Sequence, residues 1–350
     1  MAASASTCNS SFVSIYRYRK PSSPFLSPHL FQTLKPHLHK TQNPTIHLQN
    51  HTTTHRPISA KSSPSDLPLS TDPSRPNTLK SRLAGGETLY GIFLLSFSPT
   101  IAEIAGLAGY DFAVVDMEHG HGGVSSALPC LHALAATGTP AILRLPESSP
   151  TWAKKALDLG PQGIMFPMIE GPKSARKAVS YCHFPPDGVR GSAHPVVRAS
   201  KYGIDDGYLQ NYKEELLIMC QVETVDGVEK AAEIAAVDGM DAIQMGPLDL
   251  SASLGYLWDP GHKKVRGVLH EAEKAVLGSS EGKKGAFLCG FAMPHDPPEE
   301  LWNRGYHMVS GTVDTGLFRS AAVEDVQRFK RCLKSEIVEE EEEENIYWSE

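Results

Sequence analysis

No aspartate or glutamate occurs before Asp66 in this chain of 350 residues, although Arg17, Arg19, Lys20, Lys35, Lys40, Arg56 and Lys61 all precede it. The same stretch lacks the continuous apolar core of about 7–15 residues that a secretory signal needs, which excludes a secretory leader. No run anywhere approaches the roughly 18 apolar residues of a membrane span, so no membrane partner is expected. The six cysteines, Cys8, Cys130, Cys182, Cys220, Cys289 and Cys332, form no C-x-x-C pair. Their spacing suits neither a zinc site nor a small disulfide scaffold, and buried or inert thiols in a reducing compartment are expected. An excess of basic charge is missing too. A net charge of -7 speaks against nucleic acid as the main partner.

What is present is a globular composition, 41% hydrophobic and 21% charged, between two biased ends. The N-terminal stretch is basic, acid-free and rich in Ser, Thr, Pro and His, and reads as an organelle transit peptide over residues 1–65. Its opening Met1-Ala2-Ala3-Ser4 and the triplet Ile58-Ser59-Ala60 resemble plant chloroplast leaders and their processing sites. The chloroplast stroma is the expected address. Mitochondria are the runner-up, since few arginines and several prolines suit an amphipathic import helix poorly. A linker over 66–78 and a disordered acidic tail over 335–350, with an unbroken glutamate run at 339–344, would flank a domain at 79–334.

Within that domain short apolar runs alternate with helical periodicity, which implies βαβ units and a parallel sheet. The strands are expected at 89–95, 112–116, 141–145, 163–167, 217–222, 242–245, 286–292 and 307–310. Helices are expected at 99–108, 125–136, 152–159, 172–181 and 227–236, with a final one at 321–334. Eight parallel strands with helical crossovers predict a closed (β/α)₈ TIM barrel in the α/β class. One connection, 182–216, is unusually long. It is expected to fold over the barrel mouth or to meet a neighbouring subunit.

Barrel chemistry sits where strands end and run into helices. Strand two ends at Asp116-Met117-Glu118-His119, strand three at Arg144, strand five at Gln221-Val222-Glu223-Thr224, and strand six at Gly246-Pro247-Leu248-Asp249. Glu223 and Asp249 on neighbouring strands form an incomplete, oxygen-rich set suited to Mg²⁺ or Mn²⁺, with positions left for a substrate carbonyl and carboxylate. Such a metal acts as a Lewis acid on a developing enolate. Arg144 offers a planar fork of donors to the same charge, and His119 can move a proton. Either acid alone could instead be a helix N-cap. Asp116 could cap a helix or hold His119 in one tautomer, and His121 and His194 rival His119. Schiff-base catalysis would need a strand-borne lysine, and no expected strand contains one. Lys283 and Lys284 precede strand seven, at the wrong end of the barrel.

These residues resemble a known family. Asp116-x-Glu118-His119, Leu143-Arg144, Gly188-Val189-Arg190-Gly191, Gln221-Val222-Glu223-Thr224 and Gly246-Pro247-Leu248-Asp249-Leu250-Ser251 are similar, in this order, to motifs of the HpcH/HpaI aldolases. The resemblance spans roughly residues 79–330 and implies a barrel of the phosphoenolpyruvate/pyruvate type. It implies a metal-dependent (class II) aldehyde-lyase that cleaves a 4-hydroxy-2-oxo acid to pyruvate and an aldehyde. Glu223 and Asp249 would bind Mg²⁺, Mn²⁺ or Co²⁺. His119 would be the acid/base residue, oriented by Asp116, and Arg144 would support the enolate. Gln221 would hold the pyruvyl group, and backbone amides of the Gly246, Pro247, Leu248, Asp249 turn its carboxylate. The resemblance also implies a homo-oligomer, a hexamer built from dimers with a terminal helix exchanged. The loop Gly120-His121-Gly122-Gly123, Trp258 and the segment 278–285 depart from the bacterial pattern. Two other readings stand beside this one: a citrate-lyase-like or malyl-CoA-lyase-like enzyme acting on a CoA thioester, and a non-catalytic plastid metabolite-binding barrel.

Overall fold

The computed structural model describes residues 77–279 and 285–347, with side chains described as far as residue 333. The leader, the linker up to residue 76, Cys8, Lys283 and Lys284 lie outside the described residues. In chain order the elements are α1 (Leu79–Ala84), β1 (Leu89–Leu94), α2 (Pro99–Ala108), β2 (Phe112–Asp116), α3 (Val124–Ala136), β3 (Ala141–Arg144), α4 (Pro150–Asp158) and β4 (Gly163–Phe166). They continue with α5 (Pro172–Cys182), α6 (Tyr208–Glu215), β5 (Leu217–Val222), α7 (Val225–Glu229), α8 (Ala231–Ala235), β6 (Ala242–Met245), α9 (Pro247–Ser253), α10 (Lys263–Gly278), β7 (Phe287–Phe291), α11 (Pro298–Asn303), β8 (Met308–Val313) and α12 (Asp314–Tyr347). Each strand pairs in parallel with its sequence neighbour, and β8 pairs with β1, so the sheet closes into the expected eight-stranded barrel.

Side-chain alternation along the strands assigns every residue to the lumen or to the helix layer. Phe93, Phe112, Val114, Ile142, Met165, Leu217, Met219, Ala242, Cys289 and Met308 form one buried cluster inside the barrel. Ile92, Leu94, Val115, Leu143, Ile164, Ile218, Ile243 and Leu288 belong to a second, between strands and helices. The lumen is filled rather than open. Gly91 allows this, because a Cβ there would stand 2.4 Å from the Phe112 ring. Helix α1 seals the lower end. Its Leu79 and Leu83 join the lumen cluster, Leu79 donates to Gln162 Oε1 at 3.2 Å, and Lys80 pairs with Asp241 at 2.9 Å.

Two expectations are corrected. The long connection packs beneath the barrel, not over its mouth. Arg198 donates to the Leu159 carbonyl at 2.6 Å at the end of α4, and Lys80 of α1 donates to the Lys213 carbonyl at 2.9 Å. The reason is topological: α5 runs back to the N-terminal face, where the segment leading into β5 must also begin. The last helix, expected at 321–334 with an irregular acidic tail behind it, instead runs from Asp314 to Tyr347. Glutamate is a good helix former, so the acidic run extends the helix once it is nucleated.

That helix leaves the barrel. Its main packing is against β1 and β8, and Phe318, Val326, Phe329 and Leu333 stay exposed on it at helical spacing. The seam between β8 and β1, which a crossover helix would otherwise cover, forms a cleft of about 830 Å³ lined by Leu89, Tyr90, Trp302 and Val309. Among the described residues no helix is long and apolar enough to cross a membrane.

Candidate active site

Continuing the inward alternation by two residues on each strand brings polar groups to the C-terminal rim. Val114 leads to Asp116, Ile142 to Arg144, Met219 to Gln221 and Glu223, and Ala242 to Gln244 and Gly246. The charged members among them are buried, Asp116 0% exposed, Glu223 1% and Arg144 7%, whereas Asp249, in the first turn of α9, is exposed. Strand register sets Asp116 directly beside Arg144. Arg144 donates through Nε to Asp116 Oδ1 at 2.8 Å and through Nη2 to Oδ2 at 2.5 Å, a bidentate pair. Its Nη1 donates to Gln221 Oε1 at 3.2 Å. Gln221 Nε2 in turn donates to Glu223 Oε2 at 2.5 Å, and the Met168 backbone N–H donates to Glu223 Oε1 at 2.8 Å. One hydrogen-bonded chain therefore runs Asp116–Arg144–Gln221–Glu223, its members carried by the ends of three strands, β2, β3 and β5.

Glu118 joins this chain, although the sequence reading assigned it no role. Its Oε2 lies 2.9 Å from Arg144 Nη1 as an ion pair, yet outside hydrogen-bonding geometry. The signal for it was the alternation itself, since Asp116-x-Glu118 continues the inward phase of β2. Gln244, buried beside Gln221 in register, follows the same rule on β6.

Burial pushes the Glu118 carboxyl above its ordinary range, opposed by Arg144 and His119 and reinforced by Asp116 and Asp249. Burial also pushes Glu223 up to about 7, against the Met168 N–H and with the charges of Glu118 and Asp249 adding to it. Burial works against the Arg144 cation, but its bonds to Asp116 together with the charges of Asp116, Glu118 and Glu223 outweigh that and hold its pKa above the usual value. The site thus gathers four carboxylates around one guanidinium.

Neither Glu223 nor Asp249 is a helix cap. Thr224 caps α7 by accepting from Gly227, and Gly246 occupies the cap position of α9. Asp249 is exposed in the first turn of α9 with no hydrogen bond or ion pair among the described residues. Pro247 is buried beneath it, and Leu248 is 39% exposed at the rim. Asp116 is not a cap either, and its expected hold on the His119 imidazole is absent. Its carboxylate is committed to Arg144, and it reaches residue 119 only through the backbone, accepting from the Glu118 and His119 N–H groups at 3.0 and 3.4 Å. The bidentate fork one strand away outcompetes a ring that the following turn has carried to the surface. His119 and His121 are both exposed, whereas His194 lies under the barrel beside Phe184. Among the described residues no strand bears a lysine.

A profile of the HpcH/HpaI aldolase/citrate lyase family matches residues 89–321, from the first barrel strand into α12. The chain belongs to this family. The hydroxypyruvate/pyruvate aldolase of Deinococcus radiodurans is 35% identical over 285 residues, covering 80% of this chain and 99% of that protein. The 2-keto-3-deoxy-L-rhamnonate aldolase of Escherichia coli is 33% identical over 254 residues, covering 73% and 93%. A solved HpcH/HpaI aldolase/citrate lyase family protein from Burkholderia cenocepacia J2315 superposes with a TM-score of 0.67 at 34% identity, covering 72% of this chain and 98% of its own. This member of the HpcH/HpaI family is thus an aldolase-type enzyme, and both of those relatives are named as aldolases.

Among the described residues no three His, Cys, Asp or Glu side chains cluster as a complete metal site. Two carboxylates alone are an incomplete set, suited to a hard ion that completes its shell with substrate oxygens and water. Gly246 keeps space beside them, because a Cβ there would stand 2.6 Å from Glu223 Oε2. A buried carboxyl shifted to about 7 also gains most from a nearby cation. The residues fit such an ion.

The Glu223 shift sets a stability test. Its folded pKa lies above its ordinary value of 4.5, so the folded chain holds the extra proton between about 4.5 and about 7. Stability should therefore fall as pH rises through that window. In chelator, the Tm of the wild type should drop relative to Glu223→Gln between pH 5 and 8, and parallel curves would show that the carboxyl is not raised.

Proposed function

We propose that this enzyme is a divalent-metal-dependent aldolase that cleaves a 4-hydroxy-2-oxo acid to pyruvate and an aldehyde. The observation that carries the reading is the chain Asp116–Arg144–Gln221–Glu223, which fixes a guanidinium at the rim that also bears Asp249, whose charge is felt at Glu223. Glu223 and Asp249 would hold the metal. Mg²⁺ or Mn²⁺ suits these oxygen donors, with Co²⁺ a further candidate. When bound, the ion supplies Lewis-acid polarisation of the substrate carbonyl.

The chain's own residues account for the remaining work. Asp116 and Gln221 hold Arg144 through Nε, Nη2 and Nη1, leaving an Nη2 hydrogen for the pyruvyl oxygen. His119 accepts the 4-hydroxyl proton as the C3–C4 bond breaks. The electron pair passes toward the oxygen on C2, beside Arg144, whose charge is already in place and needs no reorganisation. Protonation at C3 then gives pyruvate. The amides of Leu248 and Asp249, at the uncapped start of α9, suit the substrate carboxylate.

The names of the relatives favour an aldehyde acceptor over a CoA thioester. We further propose a homo-oligomer in which the apolar stripe of α12 covers the β8–β1 seam of a second copy, consistent with a hexamer built from dimers. A plastid stroma address rests on the acid-free leader alone.

Glu223→Gln and Asp249→Asn should each abolish cleavage of 4-hydroxy-2-oxo acids, assayed by pyruvate release with added metal. Full turnover in either variant would remove the site assignment. His119→Asn should cut turnover by roughly 10²–10⁴-fold, and an unchanged rate would transfer the proton to another group. Phe318→Asp combined with Phe329→Asp should reduce the mass measured by light scattering to a smaller species. An unchanged assembly would show that α12 does not make the interface.

A further inference from the structure

The loop that follows the acid–base histidine is unusually rich in glycine, and the structure shows what those glycines accommodate. Phe97, in the turn between β1 and α2, is 7% exposed and lies on the flat faces of Gly120 and Gly122. A Cβ on Gly122 would stand 2.4 Å from Phe97 Cγ, and one on Gly120 would stand 2.5 Å from Phe97 Cε2. Gly123, the next residue, has nothing within 4 Å of its Cβ position. The Phe97 ring also meets His121 edge to face, with centroids 5.8 Å apart.

Phe97 is itself held firmly. Its φ of 51° is unfavourable for a bulky side chain, so the surroundings must impose it. The fixing group is Asp314, buried at the start of α12. It accepts from the Leu95 N–H at 2.9 Å, the Ser96 N–H at 3.1 Å and the Ser96 hydroxyl at 2.5 Å. On the other side of the ring, Gly120 N–H donates to the Asp116 carbonyl at 3.2 Å. The loop bearing His119 is therefore clamped between β2 and an aromatic ring whose turn is tied to the start of α12.

We propose that Phe97 is a positioning residue for the acid–base loop: its ring sets where residues 119–122 stand and, with His121, forms the wall on the acceptor side of the site. The proposal rests on the reading of His119 as the proton carrier. It also gives the departure at residues 120–123 a physical meaning, since glycine at 122 lets the ring lie against the backbone, while glycine at 120 clears both the ring and the Asp116 carbonyl, which would stand 2.4 Å from a Cβ there.

The test compares Gly122→Ala, Gly123→Ala, Phe97→Ala and the Phe97→Ala/Gly122→Ala double variant. Two quantities are read: the His119 ring signals in a pH titration followed by NMR, and kcat and KM for 4-hydroxy-2-oxo acid cleavage. Gly122→Ala should shift the His119 signals and lower kcat/KM by on the order of 10²-fold, while Gly123→Ala stays near wild type. In the Phe97→Ala background the added methyl group should change neither quantity. Equal effects of the two alanines, or the same effect of Gly122→Ala with and without Phe97, would overturn the proposal. Should Phe97→Ala fail to fold, the Gly122/Gly123 comparison alone decides. The NMR comparison needs no turnover, so the positioning role and the aldolase reading can fail separately.

Discussion

A buried guanidinium held by one carboxylate organises this barrel's upper rim. Removing Arg144 and Asp116 from water is costly, and the cost is offset only because the two meet through parallel, charge-assisted bonds. The pairing is dictated by register: β2 and β3 end together, with Asp116 opposite Arg144. Everything else at the site is arranged around that fixed charge. Gln221 spends both ends of its amide linking Arg144 to Glu223, and Glu118 approaches the remaining side. Four carboxylates around one guanidinium leave excess negative charge at the rim. Burial raises Glu118 and Glu223, and that excess charge adds to it.

The filled lumen and the plugged lower end leave the upper rim as the end of the barrel where the inward-facing polar residues gather. Leu79 and Leu83 of α1 close the bottom, and the long connection packs beneath it. The clamp at Asp314 joins the rim to the helix that leaves the barrel, so the residue that starts α12 also holds the turn carrying Phe97. An assembly built through α12 would therefore act on a segment anchored beside the reacting groups.

Much of this was legible in the sequence, for identifiable reasons. The strands are short, apolar and flanked by turn residues, and β2, β5 and β6 fall at the expected bounds. The rim residues follow from the rule that strand ends carry the chemistry. Glu118 was hidden because its neighbour His119 offered more familiar chemistry, although the inward alternation of β2 pointed to it. The role first given to Asp116 failed for a matter of distance: sequence adjacency favoured His119, whereas spatial adjacency favoured Arg144, 28 positions away. Of the two places expected for the long connection, the barrel mouth is excluded, because the direction of α5 carries it to the lower face. Helix α1 has only six residues, too few for periodicity to reveal it.

The central claim is that the rim stabilises the enolate of pyruvate. Proton–deuterium exchange at the pyruvate methyl group, followed by NMR on the purified protein with Mg²⁺ or Mn²⁺ and again after chelation, tests it without knowledge of the aldehyde. The account predicts exchange that requires metal and disappears in Arg144→Ala. Absence of exchange with either metal, or exchange that survives loss of Arg144, would contradict it.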